Sequence, residues 1–176
     1  SCMSLEKYEE HLGKCAAVMG LDPARSTGIG TAARMENAAI VEETYEELKV
    51  AACVTAGVEG NAGCAGDPAG YYGAGARSEI YRPGTINILL FINADMPPGI
   101  LTRALVTCTE GKTAALRELM VGSRYSENPA TGTGTDSTVI VCDPKSPLYF
   151  RSAGKHNKLG ELIVSLIHIS EPTRHL

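Results

Sequence analysis

The chain has 176 residues, of which 44% are hydrophobic and 20% charged, the composition of a folded domain and not of a disordered segment. A net charge of −4 and a pI of about 5.6 argue against a dedicated phosphate-backbone binder. An aromatic content of 5% with no Trp leaves little material for stacking on bases or sugars, and the longest apolar run, Ile86 to Asn93, is sized for a strand and not for a membrane span.

Leu5 to Met19 places Leu5, Tyr8, Leu12, Cys15, Ala16 and Met19 at spacings of three and four, which predicts an amphipathic helix partly capped by Ser4 and ended by Gly20. Thr27 to Ala33 is small and mostly uncharged and reads as a strand. Ala38 to Tyr45 and Leu48 to Val58 read as two more, joined at Glu46-Glu47, with Val50, Ala52 and Val54 on one face. Gly57 to Gly84 is glycine-rich without a period and reads as a long loop. Gly84 to Asn93 predicts a buried strand. Pro97-Pro98 opens a helix reaching about Val121, with Leu101, Leu105, Cys108, Leu116, Leu119 and Met120 on its apolar side. A Gly/Thr loop at Thr131 to Asp136 feeds a strand from Ser137 to Cys142. A turn at Pro144 to Pro147, a short strand at Leu148 to Ser152 and a helix from His156 onward follow. Strands follow one another without a helix between them, so the predicted class is α+β: a single domain with a mixed or mainly antiparallel sheet and packed helices.

The six cysteines, at positions 2, 15, 53, 64, 108 and 142, show no C-x-x-C and no Cys/His pair at metal spacing. A reduced cytoplasmic chain without a metal site is the expectation. Ser1-Cys2-Met3 reads as the opening of a fragment. The run from Ser165 to Arg174 resembles a translated sequencing adaptor, so residues 165–176 are expected to be a tail, leaving 1–164 as the domain and setting His168 and His175 outside the chemistry.

Four segments carry residues suited to chemistry. Thr55 to Ala62, with Gly66-Asp67 beyond, stands at a strand end where small residues admit backbone N–H groups to a ligand, or form a plain turn. Gly111-Lys112-Thr113 is not a phosphate-binding loop, because Val106 stands where the motif needs Gly and the run lies inside a helical pattern. Glu110 and Lys112 remain there as a polar patch or a solvated helix face. Thr131 to Asp136 sets three hydroxyls, two glycines and a carboxylate before a strand, which suits backbone donors and a general base or a flexible turn. Lys155, His156, Lys158 and Glu161 gather at a helix start, where His156 is the side chain suited to proton transfer near neutral pH.

In this order the segments resemble the adenosylcobinamide amidohydrolase (CbiZ) family of corrinoid salvage. The resemblance is carried by VTAGVEGNA at Val54 to Ala62 with Gly66-Asp67, GTINILLFIN at Gly84 to Asn93, TCTEGKTAALRELM at Thr107 to Met120, ATGTGTDSTVIV at Ala130 to Val141, and SAGKHNKLGELI at Ser152 to Ile163. It covers nearly all of the chain before residue 165, with Gly111 standing where the family has Ala. Family members carry a leading block not seen here, so an N-terminal truncation is expected.

The resemblance implies hydrolysis of an amide, splitting adenosylcobinamide into adenosylcobyric acid and aminopropanol, with the adenosylcorrinoid as small-molecule substrate and no cofactor, metal, nucleic acid or membrane partner. Asp136 or Glu110 would then be the general base and His156 its acid or base partner. The Thr131, Thr133 and Thr135 loop, with Lys112 or Lys155, would hold the oxyanion. Asn61, Asp67 and Asn93 would meet the amide-rich corrin rim, and Thr55, Lys158 and Glu161 would complete the substrate contacts. The competing expectations are a corrinoid-binding protein without hydrolysis, a nucleotide-dependent enzyme built on Gly111-Lys112-Thr113, and an interaction domain.

Overall fold

The alternation of Val50, Ala52 and Val54 with less buried neighbours drives all three side chains into the core, and the strand they belong to, β2 (Leu48–Gly57), is a central one. The structure is a computed structural model and describes residues 5–70, 72 and 83–169. The elements are α1 (Leu5–Val18), β1 (Ala39–Tyr45), β2, β3 (Ala62–Gly63), β4 (Thr85–Ile92), α2 (Pro98–Glu118), β5 (Gly132–Thr133), β6 (Ser137–Cys142) and α3 (Lys158–Ile169). A four-stranded sheet runs β1-β2-β4-β6, antiparallel across the first two pairs and parallel between β4 and β6. This is the α+β arrangement with a mixed, mainly antiparallel sheet. A second, two-stranded ladder pairs β3 with β5.

The described residues sort into two compact units. One is built on α1, where Gly20 adopts a left-handed φ of +74° at the helix end and the Tyr8 hydroxyl accepts from the Gly30 N–H at 2.7 Å. The other, over 31–68 and 83–169, holds the sheet, α2 and α3. Its core joins Val50, Ala52 and Val54 to Ile86, Ile88, Leu90 and Ile92 of β4, to Cys108 and Leu116 of α2, and to Leu159, Ile163, Leu166 and Ile167 of α3.

Several expectations need correction. Among the described residues, 27–33 contains no strand. Gly28 and Gly30 instead lie against Leu12 and Tyr8 of the first unit, and the Thr31 hydroxyl accepts from the Ala33 N–H in a local turn. The strand at Leu148 to Ser152 reduces to a single bridge between Asp95 and Tyr149, and the long glycine-rich loop contains β3. On α2, Cys108 and Leu116 are buried as expected, but Leu105, and Met120 beyond the helix end, face solvent while Ala104, Thr107, Lys112 and Ala115 face inward, so the buried stripe only partly coincides with the predicted one. Gly111 has a packing reason: a Cβ there would stand 3.3 Å from the Val164 Cα of α3, which sets how closely the two helices cross.

Residues 165–169 continue α3, with Leu166 and Ile167 fully buried and the Ser165 hydroxyl donating to Glu43 at 2.7 Å. Ser1 to Ser4, Cys2 among them, the residues at 71 and 73–82, and the remainder of the expected tail with His175 lie outside the described residues.

Candidate functional site

Residues two apart on a helix point to different sides. Glu110 is exposed on α2, whereas Lys112 shares the inward face with Cys108, Ala115 and Leu116 and is 9% exposed. A lysine so placed needs a counter-charge, and the Gly/Thr loop supplies it. The Lys112 ammonium pairs with Asp136 Oδ2, the two side chains being 11% and 14% exposed.

Asp136 accepts three further hydrogen bonds. The Ile86 N–H donates to Oδ1 at 2.9 Å, the Thr133 hydroxyl to Oδ1 at 2.5 Å and the Thr133 N–H to Oδ2 at 3.0 Å. The carboxylate therefore ties the start of β4 to the loop before β6 and to the middle of α2. A Cβ at position 132 would run into both the Asp136 carboxylate and the Lys112 ammonium, so glycine there leaves the ion pair its room.

The surrounding polar groups come from the other singled-out segments. Asn61, 6% exposed, donates from Nδ2 to the Gly84 carbonyl at 3.3 Å and accepts from the Tyr125 hydroxyl at 2.8 Å. The Thr135 hydroxyl donates to the same Gly84 carbonyl at 3.0 Å, and the Thr85 hydroxyl to the Thr135 carbonyl at 2.8 Å. The Thr131 hydroxyl accepts from the Ala65 N–H at 2.8 Å and the Thr55 hydroxyl donates to Thr31 at 3.2 Å. The N–H groups of Thr131, Thr133 and Thr135 donate within the protein, to the Gly63 carbonyl, Asp136 and the Thr133 hydroxyl.

Asp67 accepts from the hydroxyls of Ser123 and Ser126 at 2.6 and 2.5 Å and from the Cys64 N–H at 2.7 Å. These bonds, the Ser123 one foremost, hold its carboxyl below the ordinary carboxylate range. It staples the 123–126 segment in place. Beside this cluster opens a cleft of about 810 Å³, lined by Ala56 to Gly60, Pro83-Gly84, Ala32 to Arg34, Asn37 and Arg124.

The other predicted residues lie elsewhere. Glu110, Lys155 and Glu161 line a groove of about 1000 Å³ on α2 and α3 with Leu105, Val106 and Val164 among its apolar walls. Lys155 stands 3.7 Å from Glu110. Lys158 donates to Glu161 at 2.7 Å, which holds its ammonium above the usual lysine range, and lies over the Tyr45 ring. His156 is exposed in the turn before α3, and His168 stands 2.5 Å from Glu118. Asn93 closes the far end of β4, accepting from the Lys49 N–H and donating to the Glu47 carbonyl. Asp136, Lys112, Asn61, Thr131, Thr133 and Thr135 are thus brought together, and Glu110, Lys155, Lys158 and Glu161 form a second set.

The sequence reading passed over Thr85, Asn87, Tyr125 and Arg124. Thr85 and Asn87 had a signal, since both are polar in an otherwise apolar strand and both are buried. Tyr125 and Arg124 sit in an irregular segment with none. Burial pushes the Cys108 thiol up to about 12, so it is no nucleophile. Among the described residues no group of three or more His, Cys, Asp or Glu is placed to hold a metal ion, and no helix is long and apolar enough to cross a membrane.

Comparison with known proteins places the chain in a family. The family model described as adenosylcobinamide amidohydrolase matches residues 1–170. An uncharacterized protein of Methanocaldococcus jannaschii is 32% identical over 177 aligned residues, covering 93% of this chain and 68% of that protein. No solved structure matches.

Proposed function

This chain belongs to the adenosylcobinamide amidohydrolase family, and from that premise we propose that it hydrolyses the amide joining the aminopropanol arm of adenosylcobinamide to the corrin, leaving adenosylcobyric acid. The observation that supports a reaction centre is the convergence of three separate segments, the start of β4, the 131–136 loop and α2, on the Asp136–Lys112 pair, with an open cleft at the neighbouring Gly84. A buried ion pair contributes little net stability, so its presence at a strand end calls for another reason.

In the resting site Lys112 neutralises Asp136. When the substrate carbonyl enters, the flexible Lys112 stem lets the ammonium move to the carbonyl oxygen, where it offsets the charge that develops there. That movement uncovers Oδ2 of Asp136, which takes a proton from water. The water oxygen forms a bond to the carbonyl carbon and the C–N bond breaks. The proton passes to the departing nitrogen, and the new acid's own proton then transfers to the freed amine, so the products are a carboxylate and an ammonium. Thr133 and the Ile86 N–H hold Asp136 in place throughout. The corrinoid is substrate.

Incubating the protein with adenosylcobinamide and separating the products by chromatography tests this. Adenosylcobyric acid and aminopropanol should appear in equal amounts. Asp136→Asn should lower kcat by about 100- to 10,000-fold, the usual contribution of a positioned base. Turnover that survives Asp136→Asn but is lost in Glu110→Gln would move the centre to the groove on α2 and α3. A second reading, corrinoid binding without hydrolysis, has one observation in its favour: all four hydrogen bonds to Asp136 are internal. Retention of the corrinoid with no product would select it.

A further inference from the structure

We propose that Arg34 and Arg124 form a carboxylate-recognition pair in the cleft, and that the anion they hold is the acid group left by amide hydrolysis. The inference rests on the reading of the cleft as the reaction site.

Arg124 is pre-set. Its N–H donates to the Ala62 carbonyl at 2.8 Å, and its Nε donates to the Glu59 carbonyl at 2.7 Å. That second bond fixes the guanidinium plane and leaves the two terminal nitrogens available at the cleft wall. The segment around it is clamped on both sides, by Ser123 and Ser126 on Asp67 and by Tyr125 on Asn61. An arginine held this way loses little freedom on binding.

Arg34 lines the same cleft. Among the described residues neither arginine is in an ion pair. At Gly60 the wall is backbone: a Cβ there would run into the Pro83 carbonyl, so no side chain competes for space at that point. Of the described lining residues only Glu59 carries a carboxylate, so the cleft keeps an excess of positive charge.

Guanidinium pairs favour a planar carboxylate over a neutral amide because only the carboxylate offers two charged acceptors to a fork of donors. The cleft therefore binds the product acid more tightly than a neutral counterpart of the same shape.

Equilibrium dialysis of adenosylcobyric acid and of its methyl ester against the full chain reads this directly. In the wild type the acid should bind about tenfold more tightly than the ester, in line with a charge-assisted hydrogen bond. The preference should shrink with added salt. Arg34→Gln and Arg124→Gln should each bring the acid close to the ester, and Arg124→Lys should fall between. Equal binding of acid and ester by the wild type overturns the proposal with no variant needed, as does unchanged acid preference in both Gln variants. The hydrolysis assay separates the two readings. Turnover with acid and ester bound equally removes the arginine pair alone, whereas neither turnover nor binding of any corrinoid removes both.

Discussion

Replacing Lys112 with Met removes the ammonium while keeping most of the volume of its stem. Asp136 would then keep three donors in place of four and lose its counter-charge. Removing one member of a buried pair costs about 3–5 kcal/mol. The side chains keep 11% and 14% exposure, and Ile86 and Thr133 still donate, so the lower end applies, about 3 kcal/mol. For a chain of this size that is a fall in Tm of roughly 6–12 °C. Asp136→Asn strands Lys112 in the same way, and the double variant should cost less than the sum of the two by about 2 kcal/mol, since the members share one interaction. Urea unfolding followed by far-UV circular dichroism measures all three, with an unchanged slope marking a true stability change. A loss under 1 kcal/mol for Lys112→Met together with additive single effects would refute the reasoning, because the two charges would then be solvated independently.

Gly132→Ala should give a loss of stability of at least the same size, because its Cβ has no space that Asp136 and Lys112 do not already occupy; a melting temperature equal to wild type contradicts this. Gly111→Ala should lie within about 0.5 kcal/mol of wild type, since the gain of roughly 1 kcal/mol in helix propensity is offset by crowding at 3.3 Å from the Val164 backbone; a full gain by chemical denaturation would mean that α3 moves freely. Cys108 should resist iodoacetamide in the folded protein while exposed Cys15 reacts, and peptide mass mapping with and without urea reads the difference. Asp67 has its folded pKa depressed, so its contribution is present above the unfolded value and is lost as pH falls through the lower folded one. Ser123→Ala with Ser126→Ala should accordingly shrink the stability difference between neutral and strongly acidic solution, and acid titrations identical to wild type would count against the staple.

The elements with an unbroken pattern were legible. α1 and β2 carry a clear period, β4 and β6 are short apolar runs of strand length, and the turn at Glu46 shows a left-handed φ of +53°. The small, uncharged run at 27–33 misled because small residues serve equally for a strand and for close approach to a helix, and Leu12 and Tyr8 took that role. On α2 large apolar residues were assigned inward by type. Counting in threes and fours from Cys108 gives Ala104, Lys112, Ala115 and Leu116 on the same face with Glu110 outside, whereas Leu105, at the edge of that face, is exposed. The residue types of the site could be read, but its division into a buried centre at Asp136 and a separate groove at Glu110 could not. That division depends on helix rotation and on which strand ends meet, and neither is local in sequence.

The order in which the core is assembled follows from α3. Leu159, Ile163, Leu166 and Ile167 belong to a helix that packs on β2 and β1, yet α3 begins about 100 residues after β2 ends in the chain. At a synthesis rate of about 5–20 residues per second, Val50, Ala52 and Val54 wait roughly 5–20 seconds for that helix. Until α3 is made, the nascent sheet carries exposed apolar surface of the kind that promotes aggregation.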